Sequence, residues 1–287
     1  MKLGRIKKYI PTPIWLMYMY YNQTGRFLNF LSPKLLSEKT QILKLLQEKH
    51  VDKRIGDKLL VKDLIREKIG NKYIIPTQCY SDNIDNINFK ELKYPLIIKS
   101  RHSSGDFKII RKYESLNIID LKKHFSPILN TNYYIRAREW QYKYALSGLI
   151  VENLLVDKNE KLPDDYKVIC INGNPELIYV SIDREGINKR AIFDTKWRNV
   201  DACWTRHYKN CDEKKFKGTF KKPIFLKKIL ETAKVFAKIT NLIRVDFLIS
   251  QDNIYINELT LHHGSGFDTF NPHMYEVFYG QLLIANR

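Results

Sequence analysis

Residues 243 to 267 read IRVDFLISQDNIYINELTLHHGSGF, and the pairing of the two apolar runs within them decides the fold. IRVDFLIS (243–250) and NIYINELTL (253–261) are rich in β-branched and aromatic residues and are separated only by Gln251 and Asp252, which predicts an antiparallel hairpin. Side chains alternate along a strand, so Arg244, Asp246 and Leu248 share one face, and Ile256, Glu258 and Thr260 share one on the partner strand. With the turn centred on Asp252, Asp246 lies directly opposite Glu258. Two carboxylates facing each other repel. Either this face looks into water, with Arg244 and lysines as company, or a divalent cation lies between the pair, since Mg²⁺ takes one or two carboxylates together with phosphate oxygens and water. The loop HHGSGF (262–267) follows at once, and its glycines let backbone come close to a ligand.

A second apolar run raises the complementary question. YPLIIKSRHSSG (94–105) is a strand that closes on Lys99 and runs into a loop of small polar residues. A buried ammonium is costly unless an anion neutralises it, so Lys99 either reaches solvent or holds a negative group.

The chain has 287 residues, of which 44% are hydrophobic and 13% aromatic, enough to bury a sizeable core in one large domain or two lobes. No apolar stretch reaches the 18 or so residues needed to span a bilayer, and the N-terminus shows no apolar core followed by a small-residue cleavage site, so a cytoplasmic protein is expected. The four cysteines (Cys79, Cys170, Cys203, Cys211) are too few and too scattered for a disulfide scaffold, and free thiols are the default expectation. Cys203, His207 and Cys211 form a Cys-x3-His-x3-Cys cluster, one ligand short of a structural zinc site. The formal charge of +18 calls for an anionic partner: nucleic acid, acidic lipid or an acidic saccharide. The excess is concentrated in residues 1–70, with 15 Lys and Arg against 6 Asp and Glu, and in residues 206–234, with 10 against 3.

Along the chain, the basic start MKLGRIKK precedes YIPTPIWLMYMYY (9–21), which suits either docking at the periphery of an acidic membrane surface or a helix packed on the core. Residues 36–69 carry apolar positions at three- and four-residue spacing, predicting two helices interrupted near Gly56. Strands are expected at YIIP (73–76) and YPLIIK, with FKIIR (107–111) returning as a hairpin partner across the SRHSSGD loop. Helical pattern resumes at 117–124. GLIVENLLV (148–156), DYKVICING, PELIYVSIDRE and a basic helix near 224–240 lead to the final hairpin. The expected organisation is α+β, with a basic helical N-terminal extension over 1–50, a first lobe over 51–148 and a second over 149–287.

The order of these pieces, GDK at 56–58, YPLIIK and its loop, VENLL at 151–155, DYK at 165–167, Arg184 at a strand end and the Asp246/Glu258 hairpin, resembles the ATP-grasp fold, and within it the TupA-like branch associated with cell-surface polysaccharide synthesis. The similarity runs from about Ser32 to the end, through SPKLLSEKTQ, GDKLLVKDLIREKIGNKYIIP, DYKVICINGNP and INELTLHHGSGF. It implies two α+β lobes holding ATP between them. Lys58 and Lys99 then match the lysines that contact the nucleotide phosphates, and the loop containing Ser103, Ser104 and Gly105 matches the flexible loop that closes over them. Glu152, Asn153 and Leu154 match the hinge whose backbone holds the adenine edge, with Asp157 a candidate for the ribose hydroxyls. Lys167 and Arg184 match basic positions near the transferred phosphate, and Asp246 and Glu258 the Mg²⁺ carboxylates. Two departures are visible: the 100–105 loop has a single glycine where relatives have several, and Thr260 stands where many carry Asn as a third group on metal or phosphate. The usual N-terminal substrate domain is replaced by about 50 basic and aromatic residues.

The chemistry implied is transfer of a γ-phosphoryl group to a carboxylate, followed by attack of an amine on the acyl phosphate. The expected cofactors are ATP and Mg²⁺, and the expected partners an acidic sugar, glycan or glycolipid and an amino acid or amine. A sugar or polyol kinase, and more remotely a glycosyltransferase, keep part of the same site with another acceptor. The charge and stretches such as NYYIRAREWQYKY leave a non-catalytic nucleic-acid binder as the reading from another class.

Overall fold

A computed structural model describes residues 7–206, 211, 215, 216, 218 and 220–285 of the chain. His207, the middle member of the Cys-x3-His-x3-Cys cluster, lies outside the described residues, as do several members of the 206–234 basic stretch and all of the basic leader except Lys7 and Lys8.

The alternation in YPLIIK produces strand β2 (Leu96–Ser100), with Leu96 and Ile98 fully buried. It pairs antiparallel with β3 (Phe107–Ile110), Lys99 opposite Phe107, and on its other edge with β4 (Leu149–Asn153). β1 (Thr77–Ser81) completes a four-stranded antiparallel sheet of order β1-β4-β2-β3. Strand structure begins at Thr77 rather than within YIIP, where Ile74 makes only an isolated bridge to Ile256. Helix α4 (Ile118–Leu129) covers one face, placing Leu121 and Phe125 on Leu96, Ile98, Leu149 and Val151. This sheet therefore extends to Asn153, beyond the lobe boundary expected near Leu149.

The second sheet has five antiparallel strands, β10-β9-β5-β6-β7: β5 is Asp165–Ile171, β6 Asn174–Ile182, β7 Lys189–Asp194, β9 Leu242–Ser250 and β10 Asn253–Thr260. One face packs on helices α3 (Val61–Ile69) and α6 (Leu226–Ala237). The other is covered at one end by α2 (Leu36–Leu46) and α7 (His273–Leu282). Its uncovered part faces the four-stranded sheet. α3 thus lies against the larger sheet although its sequence precedes every strand of the smaller one.

The β9–β10 hairpin closes through Gln251 and Asp252, both at positive φ (48° and 61°), as a tight two-residue turn demands. Ser250 faces Asn253, and the pairing runs regularly to Phe247–Ile256. Continued unchanged, that register sets Asp246 against Asn257. Instead a bulge expels Asn257, and pairing resumes with Glu258 opposite Asp246. The expected carboxylate pair forms, through a shorter turn plus a bulge rather than a loop centred on Asp252. One consequence corrects the face assignment: Ile256 does not share a face with Glu258 but joins Ile254, Leu259 and Leu261 in the helix-covered core.

Helix α1 (Thr12–Thr24) starts on Pro13 in its first turn and ends at Gly25, whose φ of 71° closes it. Its Leu16 and Tyr20 pack on Leu28, Ala137 and Phe267. A two-stranded sheet joins β8 (Cys203–Thr205) to β11 (Thr269–Asn271). Cys203 and Cys211 are joined by a disulfide, against the expectation of free thiols and removing both sulfurs from any zinc set; Cys79 and Cys170 are free. None of the described helices is long and apolar enough to cross a membrane.

Candidate functional site

Between the two sheets lies an open cleft of about 200 Å³. The four-stranded sheet contributes Lys99, Ile97 and Glu152, the five-stranded sheet contributes Asp165, Lys167, Leu248 and Glu258, and Lys58, Gly105, Asn153, Leu154 and Arg184 close the rim. Four cations separated by up to 126 positions in sequence thus converge on one space.

Lys99 holds a negative group, its side chain 14% exposed. Its Nζ lies 2.7 Å from Glu152 Oε2 and donates to Asn257 Oδ1 at 3.1 Å. Glu152 is 3% exposed. Its other oxygen is paired with Lys62, which also donates to the Ile75 carbonyl at 2.7 Å and to Thr77 Oγ1 at 2.5 Å. Burial pushes the Glu152 carboxyl up, but Lys99 and Lys62 together outweigh it and hold the group below the usual carboxylate range. The side chain of Glu152 is therefore a clasp between two lysines. Asn153 and Leu154 donate their amides to the carbonyls of Pro76 and Pro95, both at 3.1 Å, fixing the link where the chain leaves the small sheet.

Lys58 turns into the 100–105 loop, donating to the carbonyls of Ser100 (2.9 Å) and Ser103. Desolvation, reinforced by Lys99, lowers its ammonium below the ordinary lysine range, with Glu258 opposing. The loop is anchored at its start: Arg101 makes a two-pronged pair with Asp57 (Nε 3.1 Å, Nη2 2.7 Å). Asp57 also accepts the amides of Leu59, Leu60 and Leu146. Gly56 is required there, because an added Cβ would collide with the Gln141 carbonyl. Arg101, His102 and Ser103 are buried, leaving Ser104 and Gly105 as the exposed tip. The single glycine sits at φ 84°.

On the facing sheet, Lys167 stands opposite Asp246 in the β5–β9 pairing and donates to Asp246 Oδ2 at 3.0 Å and to Asp165. Arg244 grips the same carboxylate with two nitrogens, at 2.6 and 2.7 Å. Asp246 is fully buried. Burial opposes its ionisation, but Arg244 and then Lys167 bring its pKa down to about 2. Glu258 is less engaged, with Arg244 Nη2 3.7 Å away, and it faces the cleft. Thr260 Oγ1 is buried with no hydrogen-bond partner among the described residues. The fit to a hard cation is partial: Glu258 faces the cleft, whereas both oxygens of Asp246 are held by Arg244 and Lys167, and the orphaned Thr260 hydroxyl lines a small cavity beside Arg244 and His263. No three His, Cys, Asp or Glu side chains gather closely enough among the described residues to hold a metal alone. A cation here would complete its shell with phosphate oxygens and water.

Arg184 follows the end of β6, lines the cleft and reaches the Pro163 carbonyl at 3.4 Å. Asp157 does not line the cleft; its Oδ1 accepts the amides of Asn159 and Lys161 and closes its own turn. Ser103 Oγ is buried with no hydrogen-bond partner among the described residues.

The loop HHGSGF is more constrained than its glycines imply. Gly264, Ser265 and Gly266 all have positive φ (54°, 56°, 68°), and the resulting carbonyls are caught by the buried Lys44 and Gln41 and the half-buried Arg206. Lys44 Nζ reaches Ser265 O at 2.7 Å and Ala137 O at 2.9 Å; Gln41 Nε2 reaches Gly266 O, and Arg206 Nη2 reaches Gly264 O, both at 2.6 Å. Ser265 Oγ donates to Glu139 at 2.8 Å. Burial lowers Lys44 to about 7 despite Glu139, and holds His262 and His263 far below the ordinary histidine range, hence neutral. Sequence reasoning overlooked Lys62, Arg101, Lys44 and Glu139. Only Arg101, beside the Lys99 strand, carried a local signal.

A family model described as TupA-like ATPgrasp matches residues 38–284. No curated protein matches the chain. Among solved structures, the D-alanine–D-alanine ligase of Bacillus anthracis in complex with ATP is 16% identical over 72% of this chain and 53% of its own, with a TM-score of 0.41. The L-amino acid ligase of Bacillus licheniformis is 13% identical over 81% and 49%, with 0.46. The D-alanine–D-alanine ligase of Helicobacter pylori is 14% identical over 81% and 60%, with 0.44. The chain spans about half the length of the first of these solved structures.

Proposed function

Because the chain belongs to the TupA-like ATP-grasp family, we propose that it is an ATP- and Mg²⁺-dependent carboxylate–amine ligase that couples an amino acid or amine to an acidic sugar or glycan in cell-surface polysaccharide synthesis. The observation that carries this reading is the convergence of Lys58, Lys99, Lys167 and Arg184 with Glu258 in one cleft between two antiparallel sheets. Phosphoryl transfer asks little covalent chemistry of a protein: the phosphates and the acceptor must be held in line and the charge on the oxygens neutralised. Lys58 and Lys99 supply that charge from the loop side, and Lys167 and Arg184 from the facing sheet. Glu258 would hold Mg²⁺, joined by Asp246 and Thr260 once Asp246 is released from Arg244 and Lys167; when bound, the ion would supply positive charge that neutralises phosphate oxygens. The substrate carboxylate attacks the γ-phosphorus and ADP leaves; the amine then attacks the acyl carbon and orthophosphate leaves. The charge of +18 suits an anionic acceptor handled at a cytosolic membrane face.

The test is ADP formation with defined carboxylates and amines, followed by ³¹P NMR. The reading expects ADP and free orthophosphate only when both co-substrates are present. ATP turnover that needs neither overturns it, and phosphate retained on a hydroxyl acceptor makes the protein a sugar or polyol kinase instead. Steeply salt-dependent oligonucleotide binding that survives Lys99→Ala and Glu258→Ala, with no turnover, supports the nucleic-acid reading.

A further inference from the structure

Helix α1 is apolar around its whole circumference, yet only one side of it is covered. Trp15, Leu16 and Tyr20 are buried, whereas Ile14, Met17, Tyr18 and Tyr21 are 58%, 48%, 49% and 49% exposed. Those four positions follow i, i+3, i+4, i+7 spacing and form one continuous stripe. A helix on a water-facing surface carries charged and polar side chains there; this stripe carries none. The apolar surface continues past the helix. Tyr21 stacks on Phe27 with centroids 5.0 Å apart, and Phe27 and Leu31 are 83% and 99% exposed. Arg26 meets His273 at 3.2 Å, which brings the start of α7 alongside, with Met274 and Phe278 mostly exposed.

The charge around this surface has one sign. From Met1 to Ser37 the sequence holds six Lys and Arg and no Asp or Glu. Lys8 and Lys34 are exposed on the segments that flank α1 in sequence, and Lys7 lies 5.8 Å from the buried Trp15 ring. On α7 the one acid, Glu276, is fully buried.

We propose that this face, Ile14 to Tyr21 together with Phe27, Leu31, Met274 and Phe278, docks on the surface of a lipid bilayer containing anionic headgroups. Its aromatic and aliphatic side chains enter the headgroup boundary while Lys7, Lys8, Arg26 and Lys34 meet the lipid phosphates. Tyr18 and Tyr21 beside Ile14, Met17 and Leu31 give the mixture of amphipathic rings and aliphatic side chains that suits a membrane–water interface. A second copy of the chain fits less well, since its own copy of the patch would bring a cationic rim against a cationic rim. The proposal concerns attachment alone and does not depend on the acceptor used in the cleft.

The full chain is sedimented with vesicles of phosphatidylcholine alone and of phosphatidylcholine with one-third phosphatidylglycerol, at about 0.1 M and 0.5 M salt. Binding is expected to the anionic vesicles, to weaken with salt, and to fall about fivefold for each cation removed in Lys8→Gln and Lys34→Gln. The triple variant Tyr21→Ser, Phe27→Ser, Leu31→Ser is expected to lose tenfold or more, while its unfolding midpoint and its affinity for a non-hydrolysable ATP analogue stay at wild-type values. Equal binding to neutral and anionic vesicles overturns the proposal, as does absence of binding to both. Light scattering that shows a dimer abolished by the triple variant, without vesicle binding, assigns the face to self-association instead.

Discussion

Replacing Lys62 by methionine isolates the clasp around Glu152. Lys62 is 9% exposed, and it bonds Glu152, the Ile75 carbonyl and Thr77 Oγ1. Removing one member of a buried ion pair costs about 3–5 kcal/mol. Glu152 keeps Lys99 at 2.7 Å, which puts the loss at the lower end, about 3 kcal/mol. The abandoned Ile75 carbonyl adds on the order of 1 kcal/mol. Against a total stability of about 5–15 kcal/mol, this is readily measured by urea denaturation followed by circular dichroism at pH 7. Glu152→Gln alone already leaves Lys62 without its counter-charge, so the double variant should cost about 2 kcal/mol less than the sum of the two single changes. The acid side gives a further readout. A carboxyl whose folded pKa is depressed contributes stability that is present above its unfolded pKa and lost as pH falls through the folded value. Without Lys62 the folded value rises, so the loss should begin at a higher pH in the variant. A Lys62→Met protein within about 1 kcal/mol of wild type, together with a strictly additive double variant, would refute the clasp.

Lys99→Met should weaken binding of a Mg²⁺-loaded ATP analogue about tenfold or more, the loss of one charge-assisted contact, as read by calorimetry; unchanged affinity would take Lys99 out of the phosphate site. Deleting Asn257 removes the bulge and leaves Ile254, Ile256, Leu259 and Leu261 in unbroken alternation, with Glu258 still opposite Asp246, so the variant should fold and keep Mg²⁺-dependent nucleotide binding; a variant that ceases to fold, read by circular dichroism, contradicts the register argument. Lys44, surrounded by Glu139, Arg206 and His262, has its pKa lowered by burial to about 7 from 10.5. The unfolded chain then binds the extra proton between those values, so stability should rise with pH across that window. Lys44→Met should flatten the rise, and a wild-type profile level from about pH 7 to 10 would show that Lys44 is not so depressed.

How much of this was open to sequence reasoning depends on the distance over which each feature is decided. The hairpin is local, and even its bulge is written in the chain: Ile254 and Ile256 are followed by Leu259 and Leu261, so the apolar alternation slips by one residue across Asn257. Reading the turn as centred on Asp252 reaches the right pairing by the wrong geometry and so misplaces Ile256. Lys62 shows the opposite limit. On α3 it looks like any polar position between apolar neighbours, and its partner Glu152 lies 90 residues away on a strand of the other sheet. Asp157, by contrast, closes its own turn through Oδ1, a local use decided within four residues. The Cys203–Cys211 disulfide escapes because a rule based on cysteine number averages over the chain, whereas two thiols eight residues apart need only one local fold-back. The ends of the four-stranded sheet are equally hard to read, since β4 joins it from beyond the loop and helices that follow β3.

The residue expelled from the hairpin has a role in the mechanics of the molecule. Asn257 leaves the ladder of one sheet and takes hold of Lys99 in the other, 3.1 Å away. The bulge thus does two things at once: it sets Glu258 opposite Asp246 within one sheet, and it frees a side-chain amide to tie that sheet to the Lys99 strand of the other across the cleft.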